Sequence, residues 1–402
     1  MIFIVGIALK RGLIVILVAG VLFSLLFATT QIIPNEKLLL SKWTNYHSYE
    51  EMQEVLNVLN EYFPDLVDVF SIGVSRENRT IYCIRITNEG SINNKTQLLI
   101  VGYHHAREPI TVEAALYFAT SLVVDWTENS TLQEILDHVE LFIIPALNVD
   151  GFKSFKNNPY QRKNSFPTDD DGDGLKDEDP LNDENGDGLI GSLYFTNGTF
   201  IRYEGKNDDE DERYNEDWVG GVDLNRNYPF MWGMAGASSD PSSEVYMGPS
   251  SASEPEVQAV ISLVNQHHFE YAVSLHSGVR LLLYPWAYTN SGAPKEEELK
   301  ALATRMGEAS ETAVMQSSSL YLSSGDFADW IYGVHNTLAF TFEIYSNGDA
   351  LRTLPGPTND TYWQVGFEQL FNPAPNEIAP VLEYSIKAFW VVLNAAFEKN
   401  PA

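Results

Sequence analysis

The chain has 402 residues with 25 Lys+Arg against 55 Asp+Glu, a formal charge of −30. That field repels a phosphate backbone and excludes nucleic-acid binding as a main role, while 44% hydrophobic and 12% aromatic content suffices to build a large core. The one cysteine, Cys83, excludes an intramolecular disulfide and a Cys-rich zinc site.

Residues 12–29 form an uncharged run of 18 behind Lys10 and Arg11, and 31–33 extend it. This is the layout of a secretion signal or of one membrane anchor with its basic end inside. Residues 1–40 are therefore expected to be a signal peptide or N-terminal anchor. The rest is expected to lie outside the cell or at its surface and to touch membrane only through that segment. Five Asn-x-Ser/Thr sequons, at Asn78, Asn94, Asn129, Asn197 and Asn359, are compatible with export.

Next along the chain, Ser48 and Glu51 make a capping box ahead of Met52, Val55, Leu56, Leu59 and Phe63 at helical spacing. Apolar runs at 66–72, 81–86 and 98–103 predict strands. A helix is predicted over 112–125, a shorter one over 131–138 and a strand over 141–145. Later strands fall at 271–275, 281–284 and 338–344, with helices at 295–315 and 379–397. Alternation of strands and helices predicts an α/β fold: one domain over 41–402, with a mixed, mostly parallel sheet flanked by helices on both faces.

Between them lies an acidic insertion at 168–217. From Asp169 to Asp217 there are 18 acidic residues against four basic, a local charge of −14, which predicts a surface segment with little core. It contains Asp169-x-Asp171-x-Asp173-Gly174 and Asp183-x-Asn185-x-Asp187-Gly188. Oxygen ligands at alternate positions followed by Gly suit a calcium loop, although neither run has a glutamate at the twelfth position. Calcium is the expectation for these six residues.

The eight histidines narrow the search for chemistry. His105 and Glu108, three apart after the strand 98–103, can grip one divalent ion, and imidazole with carboxylate suits zinc. His276, at the end of another strand in Ser274-Leu275-His276-Ser277, offers a third ligand and leaves a fourth position open, the pattern of a catalytic site. Glu343 is a carboxylate inside an apolar strand; beside a metal it becomes a candidate base for water. His104 reads as a neighbour of the ligands. His47, His138, His267, His268 and His335 read as structural or solvated.

These residues resemble, in order over nearly the whole chain from Tyr46 to about Phe397, the zinc metallocarboxypeptidases of the carboxypeptidase A and B type. The secreted prokaryotic carboxypeptidase T-like members look closest in character. The resemblance rests on His105 and Glu108, Asn148-Val149-Asp150-Gly151, Arg162-Lys163 and Gly221-Val222-Asp223-Leu224-Asn225-Arg226-Asn227. Leu275-His276-Ser277, Tyr321 through Asp329-Trp330, and Phe340-Thr341-Phe342-Glu343 complete it. It implies a catalytic domain with zinc at the strand ends, held by His105, Glu108 and His276, with Glu343 as base for the attacking water. It further implies that Arg162 stabilises the oxyanion, that Asn225 and Arg226 bind the substrate's terminal carboxylate, and that Tyr321 closes over it. Arg107 joins the substrate-binding residues on the same ground. An arginine fork meets both oxygens of a planar carboxylate, and an anchor one residue from the metal makes an exopeptidase. Asp223 fits as the acceptor for the far N–H of His105.

The same pattern puts Ala328 on the floor of the specificity pocket, favouring apolar C-terminal side chains, while Asp326 is either an ion-pair partner for Lys or Arg or a solvated loop carboxylate. Broad specificity with a hydrophobic preference is expected, and the protein is expected to be a monomer acting on peptide or protein C-termini. The stretch between the apolar segment and Tyr46 is short for the long inhibitory pro-domain of digestive members, so activation by removal of such a domain is not expected. Val149 replaces the usual Pro, and Gly278 stands where animal members carry an aromatic. Two other readings remain open: an amidase for cell-wall peptides or γ-glutamyl linkages on the same scaffold, and a catalytically dead, calcium-dependent surface binding module.

Overall fold

Ser48 accepts a hydrogen bond from the Glu51 backbone N–H and donates its own backbone N–H to the Glu51 carboxylate, so the expected capping box opens α1 (Tyr49–Tyr62). Met52, Leu56 and Leu59 recur on one face of this helix and are buried. In this computed structural model the described residues are 43–399 apart from 92–93, 157, 168, 170–171, 178, 180, 187–188, 206–213 and 216–219. The apolar segment at 12–33 lies outside them, with the rest of 1–40.

The strands are β1 (Val67–Val74), β2 (Thr80–Ile86), β3 (Thr96–Val101) and β4 (Val139–Ile144). After the hairpin β5 (Ser192–Phe195) and β6 (Phe200–Tyr203) come β7 (Phe269–His276), β8 (Arg280–Tyr284), β9 (Ala313–Gln316) and β10 (Leu338–Ile344). Eight of them make one sheet in the order β1-β2-β4-β3-β7-β10-β8-β9. The middle strands β4, β3, β7 and β10 run parallel, and β1, β2 and β8 add antiparallel pairings, so the sheet is mixed and mostly parallel as expected. Positions of both parities are buried in β3, β7 and β10, which requires cover on both faces.

That cover comes from α2 (Ile110–Trp126), α3 (Ser130–His138), α4 (Val149–Ser154), α5 (Pro255–Gln266), α6 (Glu296–Ser310), α7 (Phe327–His335) and, beyond α8 (Phe367–Phe371), α9 (Ile378–Lys399). Helix α2 is apolar nearly all round because α9 packs on it from outside, Phe118 meeting Phe389 with ring centroids 5.1 Å apart.

Two expectations are corrected. The helix predicted over 295–315 ends at Ser310, where Glu311 turns left-handed (φ 54°), and Ala313–Gln316 join the sheet as β9 beside β8. The acidic insertion is more than a surface loop: β5 and β6 pair with β11 (Arg352–Pro355) and β12 (Thr361–Val365) in a second sheet ordered β11-β12-β5-β6. Strands of four or five residues whose partners lie far along the chain leave little local signal, because strand preference is set by packing.

Strand β3 has β4 on one side and β7 on the other. The carboxyl ends of β3 and β7 therefore open a crevice where strand order reverses, the usual ligand position in such sheets.

Candidate active site

Just past β3 the chain turns at Tyr103, a buried non-glycine residue with φ 59°. Its backbone N–H donates to Thr111 Oγ1 (3.1 Å) and its hydroxyl to the Ala106 carbonyl, which holds this strained turn. The turn carries His105 and Glu108 to the end of β7, where His276 stands. His105 Nδ1 lies 2.9 Å from Glu108 Oε1 and 3.1 Å from His276 Nδ1, and His276 Nδ1 lies 3.1 Å from Glu108 Oε2. Among the described residues this is the one group of three or more His, Cys, Asp or Glu side chains converging as metal ligands do.

The far nitrogens decide whether a cation fits. His105 Nε2 is 3.2 Å from Asp223 Oδ1, which accepts the imidazole proton when Nδ1 turns its lone pair to a cation beside Glu108. His276 Nε2 is 2.9 Å from Ser274 Oγ. With both protons outward, two nitrogen lone pairs and a carboxylate face one point, a donor set that suits zinc. Burial alone would raise Glu108, yet the two imidazoles outweigh it and hold the carboxyl well below the usual range.

Asp223 caps the short turn Leu224–Arg226 and joins several groups, accepting also from the Asn225 N–H (2.9 Å) and from Arg162 Nε (2.8 Å). Despite complete burial it is held strongly acidic by Arg162, Arg226 and His105. The Arg162 carbonyl accepts the Ala106 N–H (3.1 Å), tying the arginine's loop to the ligand turn.

Glu343 follows from register: in the parallel pairing of β10 with β7 it stands opposite His276. Its Oε2 is buried and makes no hydrogen bond. Burial first, then the Glu108 charge, pushes its pKa well above the carboxylate range, with Arg162 opposing.

One pocket brings together His105, His276 and Glu343 with Asn225, Arg226, Tyr321 and Asp326. Arg226 Nε donates to the Gly236 carbonyl (2.9 Å) and Nη1 to the Asn225 carbonyl (2.7 Å). Asn225 Oδ1 accepts the Phe327 N–H (2.9 Å), which leaves the amide nitrogen 3.4 Å from His276 Nε2. Tyr321 is 50% exposed at the mouth.

Asp326 is 4% exposed, which corrects the solvated-loop alternative. It caps α7, Oδ1 accepting the Asp329 N–H (3.0 Å), while Oδ2 is buried and makes no hydrogen bond. Gly325 (φ +70°) permits this, since a Cβ there would come within 2.3 Å of the Arg226 carbonyl oxygen. Ala328 is buried two residues into α7 and does not line the pocket. Two helical steps turn it roughly 200° away from Asp326, so the cap residue and not the alanine meets the ligand space.

Arg107 is placed outside the pocket. Its guanidinium lies between Phe367 (5.0 Å) and Phe371 (4.6 Å) and pairs with Glu244 (3.0 Å). Phe371 also fills the space beside Gly278 (φ +121°), where a Cβ would come within 2.4 Å of its ring. In the insertion, Asp169 accepts from the N–H groups of Gly172 and Gly174, Asp173 from Leu175 and Asp183 from Gly186, while the Asn185 N–H donates to Glu204. Asp171 and Asp187 lie outside the described residues.

Sequence reasoning missed the pocket walls Leu283, Ala287, Ser317, Leu320, Ser323 and Thr341. Only Thr341 carried a signal, sharing a strand face with Glu343 by its spacing of two. It also passed over Ser274 and Tyr228, which the fold brings to His276 and His104.

Three side chains converging as metal ligands do, beside a buried carboxylate with one unpaired oxygen, fit a metallohydrolase site better than a structural metal centre. Comparison with known proteins gives the class its name. The model of the zinc carboxypeptidase family matches residues 52–388, so the chain belongs to that family and is a zinc metallocarboxypeptidase, a hydrolase. It is 30% identical over 334 residues to carboxypeptidase A1 of Mus musculus, covering 80% of this chain and 68% of that protein. To carboxypeptidase B2 of Bos taurus it is 28% identical over 320 residues, covering 77% and 64%. Among solved structures it is similar to thrombin activatable fibrinolysis inhibitor, with a TM-score of 0.68 at 25% identity over 90% of this chain and 76% of that one.

Proposed function

We infer that this enzyme is exported and removes C-terminal residues from peptides one at a time, with broad specificity and a preference for apolar side chains. The observation that carries this is that Arg226 and Asn225 share a pocket with Glu343 and the cation site. His105, Glu108 and His276 would hold zinc, which would supply Lewis-acid chemistry for a carbonyl and for water there. Arg226 and the Asn225 amide receive the terminal carboxylate, and Tyr321 closes the mouth. Glu343 takes the proton of the attacking water and returns it to the leaving amine. Arg162, oriented by Asp223, offers N–H groups to the developing oxyanion. Leu283, Ala287 and Leu320 receive an apolar side chain, and Asp326 admits a basic one.

Two variants test these roles separately. Glu343→Gln is expected to retain zinc and lose about 10²- to 10⁴-fold in kcat. Arg226→Ala is expected to lose about 10- to 100-fold in kcat/KM on free-carboxylate peptides, as for a charge-assisted hydrogen bond of about 1.5–3 kcal/mol. Unchanged kinetics in either variant would remove that residue from the mechanism. The reading of the acidic insertion as a calcium loop rests on its oxygen spacing. It predicts that millimolar calcium raises the melting temperature in a manner reversed by Asp169→Asn, and an unchanged melting temperature would remove calcium from the account.

A further inference from the structure

His104 precedes a ligand yet takes no part in the ligand set. It is fully buried, and its ring lies nearly parallel to that of His276, 19° apart with centroids at 5.5 Å. Ser274 bridges the two: its Oγ is 2.9 Å from His276 Nε2 and 3.2 Å from His104 Nδ1. The other nitrogen of His104, Nε2, is 3.1 Å from Tyr228 Oη. Tyr228 is itself fully buried, stacks on Trp330 and meets Phe327 edge-on, and so is fixed to α7.

Proton accounting gives this chain one direction. A neutral imidazole has one donor and one acceptor. If His276 Nδ1 is to offer a lone pair beside His105 and Glu108, its proton sits on Nε2 and is donated to Ser274 Oγ. The Ser274 hydroxyl then donates to His104 Nδ1, which puts the His104 proton on Nε2, where Tyr228 Oη accepts it. From His276 to Tyr228 Oη each donated proton then meets one acceptor.

A competitor makes the direction consequential. The Asn225 amide nitrogen lies 3.4 Å from His276 Nε2, held there because Asn225 Oδ1 accepts the Phe327 N–H. An amide nitrogen only donates, so it favours the tautomer with its lone pair on Nε2, which places a proton where the metal needs an electron pair. His105 has a carboxylate, Asp223, to settle its tautomer; His276 has no such anion and relies on the serine and the buried imidazole.

We propose that His104 acts through Ser274, with Tyr228 as the far anchor, as a positioning residue that holds His276 in its ligating tautomer and orientation. This rests on the assignment of His276 as a zinc ligand. The test is the zinc dissociation constant of the folded full-length protein, measured by competition with a chromogenic chelator, together with the visible spectrum after cobalt(II) substitution. Ser274→Ala and His104→Phe are each expected to weaken zinc about 10- to 100-fold and to shift the cobalt spectrum. The double variant is expected to be no weaker than the more affected single one, since both break one chain. Should His104→Phe fail to fold, Ser274→Ala removes one hydroxyl and still carries the test. Unchanged affinity and spectrum in folded Ser274→Ala, or losses that add in the double variant, would overturn the proposal while leaving zinc at His276 intact. Failure of the unaltered protein to bind zinc would overturn the ligand assignment itself.

Discussion

On the proposed reading, Asp326 is the carboxylate that decides specificity. The side walls of its pocket are Leu283, Ala287 and Leu320, and burial raises its pKa to about 6, with Arg226 and the α7 backbone opposing. On that reading it is ionised above that pH and able to pair with a C-terminal Lys or Arg, and neutral below it, where that pairing is lost. The ratio of kcat/KM for Lys-ended over Leu-ended peptides should therefore rise with pH through about 6. Asp326→Asn should flatten that profile, and a ratio independent of pH in the native enzyme would exclude the pairing. Glu343 stood out in the sequence because a charge inside the apolar strand Leu338–Ile344 needs a reason, and a metal site nearby offered one. Asp326 was not, because a cap residue looks the same whether its second oxygen faces solvent or a pocket. Ala328 was misplaced for a related reason: counting along the chain does not show where the helix begins to turn.

At the scale of elements, the core helix α2 carries the ligand turn at its head, so its packing should set stability without setting specificity. Phe118→Ala removes a fully buried ring packed on Phe389 and Trp390 and should cost about 3–5 kcal/mol, read from denaturant midpoints. The ranking of C-terminal residues should be unchanged, because Phe118 is not one of the pocket walls; a reordered ranking would mean that packing and pocket are coupled. Helices and long apolar strands were legible because a core leaves its period in the chain: the capping box at Ser48 and the buried face of α1 were read within a residue of their ends. What escaped were β5, β6, β9, β11 and β12, short strands set by packing, and the helices α4, α5, α7 and α8, of which α7 opens on the Asp326 cap. The ordering of β3 beside β7, which brings His105 and His276 together, follows from pairing between distant segments and leaves no local trace.

The whole molecule adds a field. A charge of −30 should draw cationic peptides toward it, so kcat/KM for Lys- and Arg-rich peptides should fall as salt shortens the Debye length from about 30 Å at 0.01 M to about 3 Å at 1 M. Neutral peptides should show little change, and equal salt dependence for both would exclude steering. The central claim is that a carboxylate anchor and a metal site share one pocket, so that only chain ends are cut. The direct measurement is mass spectrometry of paired peptides, identical except for a free or an amidated C-terminus, incubated with the enzyme with and without a zinc chelator. The account predicts stepwise shortening of the free peptides alone, abolished by the chelator and restored by zinc. Shortening of the amidated partners at the same rate, internal cuts, or intact peptides from zinc-loaded enzyme would contradict it.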